Sequence, residues 1–64
     1  MVKRQSLSKR ERQIALLVLD GMNNKEIAEV LYISPNTVKQ EMKSIFRKLG
    51  INSRVLLKKE MFDS

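Results

Sequence analysis

Asn36, Lys39, Gln40, Lys43 and Arg47 follow one another at steps of three, one, three and four residues. On an α-helix those steps gather the side chains on one face. The strip so formed holds three cations and two amides and no acid. A solvated amphipathic helix mixes both signs. A strip of cations and amides fits phosphates and base edges better than it fits water: lysine donates to guanine O6 and N7, and glutamine pairs bidentately with adenine. This is the chemistry of recognition rather than of bond making. The chain has no Cys and no His. That removes the usual ligands of zinc and iron–sulfur centres and rules out Cys–His and Ser–His–Asp catalysis. The expectation is a non-enzyme without metal, cofactor or small-molecule ligand.

The helix that must carry this strip has a clear start and stop. Ser34-Pro35 supplies an N-cap followed by a proline, whose fixed φ suits the first turn, and Gly50 suits the residue that ends a helix. These signals predict a helix over 35–49. Its apolar residues Val38, Met42, Ile45, Phe46 and Leu49 lie roughly 130° around from the polar strip, facing inward. Three more helices are predicted, over 8–20, 24–31 and 53–62. Ser8 and Glu11 form a capping box ahead of an apolar stripe of Ile14, Leu17 and Val18, and Gly21 closes that helix. Leu16 and Leu19 lie off the stripe and read as surface leucines, with a second subunit as the alternative. Asn24 is the expected N-cap of the second helix, which buries Ile27, Ala28 and Leu31. Ser53 is the expected cap of the fourth. Its Val55, Leu56, Leu57, Met61 and Phe62 are more than one edge of a small core needs, so some of them should cover a partner. Neither period-two alternation nor a hairpin turn competes with these helices.

Sixty-four residues make one small domain, spanning 1–64, that buries only about 60% of its unfolded surface. The expected class is all-α, a compact four-helix arrangement. An apolar share of 42% is enough for a core and too high for a disordered tail. The longest apolar run, Ile14 to Leu19, is far short of a membrane span, and no secretion signal follows the basic N-terminus. A cytoplasmic protein is expected. Thirteen Lys and Arg against seven Asp and Glu give +6, which in a domain this small points to a polyanionic partner. The excess is concentrated in two places: Lys3, Arg4, Lys9, Arg10 and Arg12 at one end, and the 34–49 segment.

Two helices joined by a tight turn, over about 24–43, form a helix-turn-helix unit if the second enters a groove. Ala28 is small enough to face the partner helix, and Leu31 and Ile33 can support the turn from beneath. Lys39, Gln40 and Lys43 are then the side chains that reach base edges. Phosphate contacts fall to Ser34, Asn36 and Thr37 near the positive end of the third helix, and to Lys25, Arg47 and Arg10. Simpler roles compete at some of these positions. Ser34 is a cap in either case, Thr37 can satisfy its own turn, and Lys25 can pair with Glu29.

Over about residues 6–62 the chain resembles the LuxR/GerE-type helix-turn-helix domain of bacterial transcription regulators. The matching blocks are Leu7-Ser8-x-Arg10-Glu11 with Gly21, then Asn24-Lys25-Glu26-Ile27-Ala28-x-x-Leu31. They continue with Ile33-Ser34-x-x-Thr37-Val38-Lys39 and with Ile45-x-x-Lys48-Leu49-Gly50-x-x-Ser53-Arg54. The resemblance implies a tri-helical core plus a C-terminal dimerisation helix, with base contacts at Lys39, Gln40 and Lys43. It implies a two-fold dimer through the fourth helix, for which Val55, Leu56, Lys58, Lys59 and Phe62 are the candidates, and a palindromic operator. Two positions depart from the family's pattern. Glu41 stands where His is most frequent, so the ordinary contact there should be missing; the carboxylate would repel phosphate, pair with Lys48 or accept from a cytosine. Leu57 stands where Ala is common, which should alter the packing of the fourth helix.

The expected function is sequence-specific binding of double-stranded DNA by a homodimeric transcription regulator, nucleoid-associated in a bacterium. RNA polymerase is a further candidate partner. The alternative is a protein-interaction module that keeps the helix-turn-helix fold and binds another regulator or the polymerase.

Overall fold

The computed structural model describes residues 6–63; Lys3 and Arg4 of the N-terminal basic cluster and the side chain of Phe62 lie outside what is described. Four helices follow one another: α1 (Lys9–Leu19), α2 (Asn24–Leu31), α3 (Pro35–Leu49) and α4 (Arg54–Asp63). Each starts where a side chain takes up an orphan backbone N–H. At α1, Ser8 Oγ accepts from Glu11 N at 3.1 Å while Glu11 Oε1 accepts from Ser8 N at 2.7 Å, the predicted box. At α2 the cap is Asn23, not Asn24. Asn23 Oδ1 and Glu26 N are 2.9 Å apart, and Glu26 Oε1 answers at 2.9 Å from Asn23 N. That second capping box needs the acid three residues after the cap, and only Asn23 has one. Ser34 caps α3 with Pro35 following, and Ser53 Oγ accepts from Leu56 N at the start of α4.

The first three helices end in the same closing turn. Gly21, Tyr32 and Gly50 each adopt positive φ, at 91°, 58° and 68°. At each end the following residue reaches back five positions: Met22 N to Leu17 O, Ile33 N to Ala28 O and Ile51 N to Phe46 O, at 3.2, 3.0 and 2.9 Å. This pair of features is the Schellman motif, which satisfies carbonyls that the helix leaves unpaired.

α3 is the central element, packed against α1, α2 and α4, and α1 also meets α2 and α4. Ile14, Ile27, Val38, Ile45 and Leu57 are fully buried, with Ala15, Val18, Ala28 and Met42 completing the core. Leu7, Leu17, Met22, Leu31, Ile33, Phe46, Leu49, Ile51 and Met61 seal its edges. The buried face of α1 is therefore centred on Glu11, Ile14, Ala15 and Val18, with Leu17 at its margin rather than in the stripe. Leu16 is exposed, as a surface leucine should be.

Not all of the apolar residues of α4 are spare. Leu57 is a core residue and Met61 packs on the core, so neither is free to cover a partner. A single helix over a three-helix core must bury something of its own to stay attached, and these two residues provide that anchor. Val55 and Leu56 remain exposed, at 79% and 39%.

Candidate nucleic-acid interface

The outward face of α3 carries the polar strip intact: Asn36, Lys39, Gln40, Lys43 and Arg47 are all exposed. Val38, Met42 and Ile45 on the opposite side are buried, so the helix cannot rotate about its axis without exposing its core residues. Burial of one face thus fixes the direction of the other. At the N-terminus of α3, Ser34 Oγ accepts from Thr37 N at 3.1 Å and lies 2.9 Å from Thr37 Oγ1. Both hydroxyls are exposed and tied to each other, which holds them beside the positive end of the helix dipole. The simpler roles foreseen for Ser34 and Thr37 are therefore present, and their exposure leaves them accessible.

Glu11 is the residue whose reach the sequence did not reveal. Its spacing from Ser8 indicated a cap, but the carboxylate also links α1 to α3. Glu11 Oε2 accepts from Ser44 Oγ at 2.7 Å, and Glu11 Oε1 accepts from Lys48 Nζ at 2.7 Å. Only 3% of Glu11 is exposed. Burial alone would raise its pKa. The Lys48 ammonium, the Ser8 N–H and the Ser44 hydroxyl outweigh burial and hold the carboxyl at about 2. This junction sets the start of α1, with exposed Lys9, Arg10 and Arg12, against the second half of α3.

The same junction corrects the reading of Glu41. Lys48 is committed to Glu11, so it does not pair with Glu41. Glu41 is half-buried on the flank of α3 and has no hydrogen bond or ion pair among the described residues. Lys25 and Glu29 are both exposed on α2 and form no pair with each other. Among the described residues the Lys25 ammonium, at the first turn of α2, has no partner.

Arg54 supplies a second link that spacing alone did not indicate. Its Nη2 donates to Asn24 Oδ1 at 2.8 Å and its Nη1 to Met22 O at 3.4 Å. The first residue of α4 is thereby joined to the first residue of α2, two helices that share no packed face. Asn24, freed from capping, is the acceptor. Val55, Leu56, Lys58 and Lys59 are exposed along α4, and Val18, Leu19, Arg54, Val55 and Lys58 line a shallow groove. Among the described residues no acidic, His or Cys cluster is suited to a metal ion. No helix among the described residues is long and apolar enough to cross a membrane.

A family model described as bacterial regulatory proteins, luxR family, matches residues 5–59. The transcriptional regulatory protein UhpA of Escherichia coli strain K12 is 46% identical over 57 residues, covering 89% of this chain and 29% of UhpA. The transcriptional regulatory protein LiaR of Bacillus subtilis strain 168 is 44% identical over 50 residues, covering 78% of this chain and 24% of LiaR. A protein of Mycobacterium tuberculosis strain H37Rv named "Putative HTH-type transcriptional regulator Rv0890c" is 44% identical over 52 residues, covering 81% of this chain and 6% of that protein. The chain thus spans less than a third of these relatives. No solved structure matches it. With four capped helices, a helix-turn-helix pair and this match over nearly all of its length, the chain belongs to the LuxR family of bacterial regulatory proteins, as a DNA-binding helix-turn-helix domain of the kind found in transcriptional regulators.

Proposed function

We propose that α3 enters the major groove of double-stranded DNA and that the chain acts there as a single reading domain of a transcription regulator. The observation that carries this reading is the exposed strip of Asn36, Lys39, Gln40, Lys43 and Arg47, free of acids on a helix whose other face is locked in the core. Lys39, Gln40 and Lys43 meet base edges, and sequence is read through them. Ser34, Asn36, Thr37, Arg47, Lys25 and Arg10 meet phosphates and set the register on the duplex.

A homodimer through α4 on an inverted repeat completes the proposal. Exposed Val55 and Leu56, with Lys58 and Lys59 beside them, support it, and Phe62 belongs to the same proposed surface. RNA polymerase is the partner that a regulator bound in this way would address, and the nucleoid is where it would act.

The test is a titration of random-sequence duplex at two salt concentrations beside sedimentation of the free protein. Neutralising about six phosphates gives a slope near −5 in log affinity against log salt. Weak binding with a flat salt response would instead favour a protein-interaction module built on the same fold. A monomer at every concentration would remove the inverted repeat.

A further inference from the structure

Three helix ends in this chain close with the same two backbone hydrogen bonds around a left-handed residue. Two of them use glycine, which adopts that conformation without steric cost. The third, at the turn between α2 and α3, uses Tyr32 at φ 58° and ψ 42°. A bulky residue in the left-handed region is a true outlier, because Cβ crowds the following carbonyl. A compensating contact within the fold would explain it, but Tyr32 is 95% exposed and its hydroxyl makes no hydrogen bond among the described residues. The neighbours on either side behave differently: Leu31 and Ile33 pack on the core. The backbone thus turns Tyr32 out of the protein while it turns its neighbours in. The closing hydrogen bonds of the turn hold the backbone in this conformation, but no contact of the Tyr32 side chain does, and such an outlier points to a contact outside the fold.

The position of Tyr32 narrows what that contact is. It stands two residues ahead of Ser34 in the chain, on the turn that leads into α3, whose first turn carries the exposed Ser34, Asn36 and Thr37. A phenol reaches farther from the backbone than the Ser34 or Thr37 hydroxyl and offers the same kind of O–H donor. We infer that the Tyr32 hydroxyl donates a hydrogen bond to a phosphate oxygen of the duplex at the edge of the groove α3 occupies. This rests on the DNA reading above and adds to it a neutral donor that orients the turn on the backbone. A phosphate contact of this kind carries no sequence information. Because Tyr32 is uncharged, losing it releases no counterion and leaves the salt slope unchanged, unlike the loss of a lysine.

The experiment compares the wild-type chain with Tyr32→Gly, Tyr32→Asn and Tyr32→Phe by thermal unfolding and by titration of random-sequence duplex at several salt concentrations. Tyr32→Gly should melt at or above the wild-type temperature, by up to about 8 °C. It should nonetheless bind duplex roughly 5-fold more weakly, the size of one lost hydrogen bond. Tyr32→Asn tolerates the left-handed turn and should fold and bind like the glycine variant. Tyr32→Phe keeps ring and strain and should lose the same affinity with the salt slope intact. Wild-type affinity in the glycine or phenylalanine variant overturns the phosphate contact while leaving the DNA reading in place. A large fall in melting temperature for Tyr32→Gly overturns it too, since the ring would then be serving the fold. Failure of the wild-type chain to bind any duplex overturns both.

Discussion

Lys48 Nζ lies 2.7 Å from Glu11 Oε1, joining α3 to a carboxylate that is at the same time one half of the capping box of α1. One side chain therefore ends the exposure of an N-terminal N–H, answers an ammonium and accepts the Ser44 hydroxyl. Breaking a buried pair costs more than the pair is worth, because the remaining charge is left unanswered.

Acid stability should follow from this arrangement. The Glu11 carboxyl falls from 4.5 to about 2 on folding, so the folded state holds fewer protons than the unfolded state in between. Its contribution is complete above pH 4.5 and is lost as pH falls toward 2. Urea unfolding at pH 7 and pH 3 should show that loss in the wild-type chain. In Glu11→Gln the stability at pH 7 should drop by about 1–3 kcal/mol, with a shallower decline toward acid. An equal decline in both would remove Glu11 as the cause.

Ile45 and Val38 are fully buried on α3, and truncation leaves a cavity among rigid neighbours. Ile45→Ala should cost about 2–4 kcal/mol. The smaller Val38→Ala should cost less, and denaturant midpoints would rank the two. Because these side chains also fix the rotation of α3, duplex affinity should fall with them even where the fold survives.

Lys43 is exposed on the polar strip, so Lys43→Ala should leave the melting temperature unchanged. It should weaken binding to a specific site by about 1–3 kcal/mol. The comparison that decides its role is specific against random duplex. Equal losses on both would make Lys43 a phosphate contact rather than a base contact.

Glu41 carries a carboxylate on the flank of α3 that has no partner among the described residues. If phosphate passes near it, Glu41→Gln should raise duplex affinity several-fold at low salt, an effect that fades as salt screens the repulsion. Unchanged affinity at low salt would place the flank away from the backbone.

The local features were legible because they are written within three or four residues of chain. The Ser8–Glu11 box, the Ser34-Pro35 start and the terminal roles of Gly21 and Gly50 depend on backbone groups one helical turn away. The stripe of Val38, Met42 and Ile45 follows from the helical period itself, and with it the outward direction of Lys39, Gln40 and Lys43. The cap at Asn23 was within reach of the same rule, since Glu26 stands three residues on. What the local pattern could not supply were pairings between distant segments. Glu11 with Ser44 and Lys48, and Arg54 with Asn24, exist because packing brings helices together whose order in the chain says nothing of which polar groups will meet. Leu57 and Val55 are alike in sequence as apolar residues of one helix. Only the docking of α4 on α1 and α3 buries the first and leaves the second exposed, because a helix resting on a core has one side to give it.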